Sequence, residues 1–401
     1  MFQKKGRIQW FSFILLMSAL LVIIGCGGPK ARVASSELDT PEHHVFTGMR
    51  LIDQEKYADA QREFELALQL NDKYSKAYMG MGLARAYLRN YTEALQNLDT
   101  AWKYAKKNDE KEAVHIGYIR VNTLSKAACV KIGVDCEQDQ SWLEKCIDSY
   151  SAAVELNPSS SAANYYMGLA YKTALQFGNA GTMFSKVLKI KGDYVRQADE
   201  QWELIQKIQR AVPGTTTGKK IALVETISRA DAAALFMEEL KIDVLYKKRT
   251  PKTFDTSFKD PEKAAQTAMK SQVSARDIAD HPLRADIEGI LNIGVRGLEV
   301  GPNGNFDPDA VLNRAEYAMM LEDILIKVTG DNALATKFIG SKSLFPDLRE
   351  DLPYFNAVMV VASRGIMGAD MTSGEFAPLK SVAGVDALLI IRKVKEELKF
   401  N

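Results

Sequence analysis

The sequence predicts an all-α protein in two parts: a solenoid of helical hairpins, then a mainly helical region built on a longer repeat. Three observations lead there. Small and aromatic residues recur at 34-residue intervals in the first half, as Gly48 does at Gly82. A glycine, phenylalanine and proline pattern recurs after 70 residues in the second half, as Phe306 does at Phe376. A stretch rich in helix breakers, residues 211–220, separates the two. A chain of 401 residues with 46% hydrophobic and 26% charged content has material for two or three cores. Its net charge of +1 gives no bulk attraction for nucleic acid, and no basic stripe interleaved with aromatics is present, so no nucleic-acid partner is expected.

The first residues read as an address. Lys4, Lys5 and Arg7 precede an uncharged run from Trp10 to Ile24, shorter than the roughly 20 apolar residues of a spanning helix. The run ends in Ile23-Ile24-Gly25-Cys26, which resembles the bacterial lipobox. That resemblance implies a signal peptide over residues 1–25, cleavage before Cys26, and a lipidated leader over 26–41 that holds the protein to a membrane. The alternative is an uncleaved anchor with a bystander cysteine. Removing residues 1–25 takes away three positive charges and no negative one, so +1 becomes −2. Gly27 stands where an aspartate would favour inner-membrane retention, so the expected place is the outer membrane, facing the periplasm. Two or more acyl chains anchor stably where one is marginal.

The solenoid is expected over residues 42–211. Tyr57 recurs as Tyr91, Ala60 as Ala94, Phe64 as Leu98 and Ala67 as Ala101. A later copy has Tyr150, Ala153 and Pro158, and the next has Gly168, Ala180, Phe184 and Val187. Glycine and alanine let antiparallel helices touch, and the aromatic or leucine fills the gap to the next pair. The pattern resembles the tetratricopeptide repeat. The third copy arrives about 18 residues late, which places an insertion between a helix around 111–128 and one over 142–156. Val195 to Ala211, with Trp202, Leu204, Ile205 and Ile208 on one side, reads as the solenoid's cap. The resemblance implies a scaffold whose groove binds a protein partner of unknown identity. Tyr78, Tyr87, Tyr165 and Tyr171 either line that groove or pack the core.

With Cys26 assigned to lipid, Cys129, Cys136 and Cys146 remain for an exporting compartment where disulfides form. Cys129 and Cys136 flank a segment able to turn back, which makes them a possible disulfide. Cys146 takes a position the repeat wants small and is expected to be a buried core thiol.

Residues 212–220 are expected to be a linker, with the second region over 221–401. There Gly304 pairs with Gly374, Pro308 with Pro378 and Glu316 with Asp386, and Ile287, Ile290 and Gly294-Val295 pair with Val358, Val361 and Gly365-Ile366. Ile227-Ser228-Arg229-Ala230-Asp231 is a partial third copy. The arrangement resembles the S-layer homology domain, with two full modules and one partial one, residues 243–274 being a possible diverged first half. Asn313-Arg314-Ala315-Glu316 and Ser228-Arg229-Ala230-Asp231 both read as capping boxes.

The arginine is the part a cap does not explain, because a cation at the first helical position opposes the helix dipole. With free first-turn amides it would form an anion site, bidentate for a carboxylate or phosphate. The resemblance implies that Arg229 and Arg314 face grooves holding acidic cell-wall glycan; the alternative is an internal salt bridge. The third copy, Ala383-Gly384-Val385-Asp386, has lost both arginine and cap. His281-Pro282-Leu283 and Leu352-Pro353-Tyr354 lack the aromatic of the family's H-W-A.

No catalytic constellation stands out. The chain has four histidines, and His43 and His44 are adjacent, a spacing that points them apart on a helix. Asn303, Asn305, Asp307 and Asp309 alternate like a calcium loop, but Pro308 and Arg314 occupy positions that need glycine and glutamate. A turn-rich loop accounts for them better. No cofactor, metal or catalytic residue is therefore expected. Two functions are open: a non-enzymatic envelope lipoprotein that binds protein through its solenoid and glycan through its second region, or an accessory lipoprotein for secretion or envelope assembly in which both halves bind protein.

Overall fold

The computed structural model describes residues 32–132, 141–249 and 275–399. Residues 1–31, with the expected signal peptide and Cys26, lie outside the described residues, as do Cys136 and the segment 250–274. Among the described residues the secondary structure is helical, with isolated bridges and no named strand. They form two compact units: residues up to 174 together with 186–194, and residues 175–185 together with 195 onward.

In the first unit α1 (Pro41–Asp53) pairs with α2 (Tyr57–Leu70), α3 (Ser75–Tyr87) with α4 (Tyr91–Tyr104), and α5 (Asn108–Ile132) with α6 (Ser141–Leu156). α7 (Ser161–Thr173) follows, and α8 (Phe177–Ile190) is divided, its residues up to 185 falling in the second unit and the rest in the first. The 34-residue period is geometric as well as textual: the tight turns between paired helices carry Glu55 and Arg89 at φ 61° and 66°. Phe64 fills the space between α1, α2 and α3 and is fully buried. It fits because Gly48 and Gly80 have no side chain there. A Cβ at either would stand 2.6 or 2.2 Å from the Phe64 ring. The insertion in the third repeat is partly helix, since α5 runs to 25 residues where α1, α3 and α7 have 13.

Residues before α1 are tied down by a buried carboxylate. Asp39 accepts from Arg32 Nη1 and Nη2 at 2.9 and 2.5 Å and from the Ser35 amide at 2.6 Å. His44 bridges Asp39 and Glu63, its ring nitrogens 2.9 and 2.7 Å from the two carboxylates. The Ser35 amide, His44 and Arg32 together hold the Asp39 carboxyl well below the usual range. Cys146 is a buried free thiol, as its repeat position suggests. It contacts Ile119 O at 3.7 Å, and burial pushes its pKa to about 12. Cys129 is in a disulfide; Cys136, its expected partner, lies outside the described residues.

The second unit departs from the expected boundary. α9 (Val195–Ala211), read as the solenoid's cap, packs against α16 (Gly384–Lys399) and belongs to this unit. The expected linker, 212–220, is structured. α10 (Thr216–Ile221) starts within it, capped by Thr215, whose hydroxyl accepts from Gly218 N. Gly214 N, Thr215 N and Thr215 Oγ1 all donate to Glu239 at 2.9 Å, and Glu239 is 4% exposed. Lys395 Nζ stands 3.6 Å from the same carboxylate. Breaker residues here make a buried, saturated carboxylate site, which a composition rule reads as a hinge.

α11 (Arg229–Ala234) runs into a π turn over Leu235–Glu239, followed by α12 (Ile242–Arg249), α13 (Arg284–Ile293), α14 (Arg314–Thr329), α15 (Phe355–Ser363) and α16. Both capping boxes form. Asn313 Oδ1 accepts from Glu316 N at 2.9 Å and Glu316 Oε2 from Asn313 N at 2.9 Å; Ser228 and Asp231 do the same.

The residues just before the three helix starts meet in a ring. Ile227 N donates to Val382 O, Val382 N to Leu312 O, and Leu312 N to Ile227 O, at 2.8, 3.2 and 3.0 Å. All three side chains are buried. Three helix starts far apart in sequence are thereby closed into one core.

Candidate functional site

Two places in the molecule gather side chains beyond what packing needs: the joints made by Arg229 and Arg314, and the face of the solenoid formed by its first helices.

At the first joint Arg229 leaves α11 and crosses to the Gly304-to-Pro308 loop. Its Nε donates to Phe306 O at 2.7 Å, Nη1 to Gly297 O at 2.5 Å and Nη2 to Glu299 O at 2.9 Å. The guanidinium carbon stands 4.7 Å from the Phe306 ring centroid. Arg314 repeats the contact one module later, with Nε on Phe376 O at 2.8 Å, Nη2 on Gly368 O at 2.6 Å and the Phe376 ring at 4.5 Å. Half-burial lowers both arginine pKa values, with nearby carboxylates opposing the shift. An arginine remains charged throughout.

The sequence offered an anion site or an internal salt bridge. The observed acceptors are main-chain carbonyls, so the salt bridge is replaced by a latch. The puzzle of a cation at a helix start resolves here: the side chain reaches over its own first turn to the carbonyls of the following module.

Each latched loop is held from the other side too. Asp277 accepts from Phe306 N and Asp307 N at 2.8 and 2.7 Å, and Asp347 from Phe376 N and Ala377 N at 2.9 and 2.7 Å. Asp307 and Ala377 are both at φ 54°, a conformation that L residues enter at a cost. Sequence reasoning missed this aspartate pair, although its 70-residue spacing matches the repeat that was seen.

The third joint explains the lost arginine. Gly384 N donates to Val224 O at 3.0 Å, as Arg314 N does to Lys380 O and Arg229 N to Ala310 O. What faces Gly384 is α10 and its exit, not a second-half loop. A Cβ on Gly384 would lie 1.7 Å from Ile221 O, so glycine is required. Residues 216–224 thus stand before Gly384 where loops stand before Arg229 and Arg314; residues 250–274, most of the expected diverged first half, lie outside the described residues.

On the solenoid, α3 packs on α1 and on α5, and α5 packs on α7. Tyr87 stacks on Tyr57 at 4.7 Å, Tyr165 on Tyr194 at 4.9 Å, and Tyr78 tilts onto Tyr104 at 5.6 Å. All are partly buried, as is Tyr171. They are ordered walls, engaged with other aromatics while keeping exposed edges. Arg120 among them carries no mark in the sequence. It lies on α5, 6% exposed, with its guanidinium 4.4 Å from the Tyr166 ring and Nη2 donating to Tyr87 Oη at 3.2 Å.

No protein-family model matches the chain, and no curated protein does. Among solved structures it is similar to YrrB, described as a TPR protein with an unusual peptide-binding site, at 15% identity over 41% of this chain and 94% of that one. The TM-score of 0.19 makes this too loose a superposition to carry fold or function. The hairpin solenoid stands on this chain's own helices.

Proposed function

We propose that the chain is a non-enzymatic scaffold of the bacterial cell envelope. It is held to the membrane by lipid on Cys26, binds a protein segment on the first-helix face of its solenoid, and binds an acidic wall glycan through its second unit. The observation that carries the scaffold reading is the tier of first helices, α1, α3, α5 and α7, lined with partly exposed tyrosines. Rigid aromatics with two rotatable angles suit a recognition surface. For the glycan, support comes from Arg314. Two of its nitrogens serve the latch, and Nη1 has no acceptor among the described residues.

Three measurements test this. Photo-crosslinkers at Tyr78 and Tyr165 are expected to capture a protein in cells; none from either position removes the scaffold. Cys26→Ser is expected to abolish fatty-acid labelling and membrane retention. The full chain should sediment with purified sacculi and lose that on Arg314→Ala.

A second reading, in which both units bind protein, is favoured by Arg229, each of whose three nitrogens already donates to a carbonyl. No sedimentation with sacculi, together with crosslinks from the second unit, would select it.

A further inference from the structure

The solenoid buries a cation that no carboxylate among the described residues neutralises. Arg120 sits midway along α5, between α3 and α7, in a cage of tyrosines. Tyr166 lies 4.4 Å and Tyr87 6.0 Å from the guanidinium carbon, measured to the ring centroids. Tyr166 Oη is 3.4 Å from Tyr194 Oη, so the two phenols meet beside it. Among the described residues no carboxylate pairs with Arg120. Its Nε is sealed from solvent without an acceptor.

Packing alone accounts for the rings and leaves the rest unexplained. Aromatic faces return part of the cost of burying a guanidinium. They do not supply an anion, and a buried cation without one is a costly element in a core that a methionine or leucine would fill. Phenol hydroxyls at its edge can donate to an incoming oxygen, as the guanidinium can. A planar fork beside hydroxyl donors fits a carboxylate.

We propose that Arg120, with Tyr87 and Tyr166, is a subsite on the first-helix face for the carboxylate of an acidic side chain in an extended partner segment. The inference rests on the reading of the solenoid as a protein-binding scaffold and names the chemistry of what is bound.

The test uses the full chain in detergent, labelled with 15N-arginine, and two capped peptides of equal length, one of glutamates and one of glutamines. The Arg120 Nε–H signal is assigned by its loss in Arg120→Lys. The glutamate peptide is expected to bind by calorimetry and to move that signal, and the glutamine peptide to do neither. Arg120→Met, checked for native helicity, should weaken glutamate binding at least about tenfold, as loss of a charged hydrogen-bond pair implies. Lysine should fall between.

An Nε–H signal that ignores glutamate, or moves equally with glutamine, overturns the proposal, because a guanidinium satisfied by rings and water would behave that way. So does an Arg120→Met chain that binds glutamate like the wild type. If that variant fails to fold, the wild-type titration decides. A chain that crosslinks a partner at Tyr78 and Tyr165 while Arg120 ignores glutamate keeps the scaffold reading and loses only this subsite.

Discussion

Replacing Arg314 by alanine removes two hydrogen bonds from a charged donor, to Phe376 O and Gly368 O, and the contact with the Phe376 ring. Each such bond contributes roughly 1.5–3 kcal/mol, and an exposed cation–π contact roughly 0.5–1 kcal/mol. The guanidinium is half-buried, and water can reach some of what the alanine uncovers, so the sum is discounted to about 2–4 kcal/mol. For a unit of about 200 residues that corresponds to a fall in melting temperature of roughly 5–12 °C. Helicity should be unchanged, because Asn313 and Glu316 still close the capping box. Arg314→Lys should lose about half as much, since an ammonium is a point donor without the planar fork. The assay is thermal and urea unfolding of the full chain followed by circular dichroism. An alanine variant that melts within about 1 °C of the wild type refutes the latch. If that variant also fails to bind sacculi, the arginine's work lies with a ligand instead.

Other outcomes follow from the same geometry. Gly384→Ala should destabilise the second unit by at least roughly 1–3 kcal/mol in urea unfolding, because the clash is with a carbonyl that cannot rotate away; a neutral substitution would mean the third joint is loose. Residues 212–220 should resist limited proteolysis in the native chain and become cleavable in Glu239→Ala, which leaves the Gly214 and Thr215 donors unpaired; cleavage of the wild type there would restore the hinge. Burial disfavours the imidazolium of His44, but Glu63 and Asp39 outweigh it and raise its pKa above the ordinary value. The native state therefore holds that proton more tightly than the unfolded one. The stabilisation is complete below about pH 6.5 and is lost as pH rises through the higher native value. His44→Gln should abolish this fall in the melting of the α1–α2 hairpin as pH rises above about 6.5, and a wild type indifferent to pH there would sink the clasp.

What the sequence disclosed was local. Phe64 with Gly48 and Gly80 is a packing unit within half a repeat period of itself on either side, so the residue types at 34-residue spacing encode it. The capping boxes span four residues and were legible for the same reason. What stayed hidden runs between distant main-chain atoms. Arg229 meets Phe306 O across 77 residues, and every residue offers a carbonyl, so no letter in the sequence marks the acceptor. Glu239 was hidden likewise, because its partners are amides of a stretch whose composition reads as a linker. Arg120 is found by its tyrosines, which lie 33 residues before it at Tyr87 and on α7 at Tyr166.

The two latches are not equivalent, and the difference bears on the glycan. Arg229 uses all three nitrogens on carbonyls, while Arg314 uses two. A guanidinium binds a carboxylate bidentately through two adjacent N–H groups in one plane. Of its five N–H groups Arg229 keeps two beyond its carbonyl bonds, one on each Nη, so each terminal nitrogen that met a carboxylate would be shared with a carbonyl. Arg314 can present Nη1 without surrendering either bond. Anion binding by this unit should therefore centre on Arg314 and leave Arg229 a joint. Sacculus sedimentation separates the two: Arg314→Ala should lose binding and some stability together, whereas Arg229→Ala should lose stability and, below its melting temperature, still sediment. Equal loss of sedimentation from both variants, at temperatures where both are folded, would show that the remaining N–H groups of Arg229 are recruited as well.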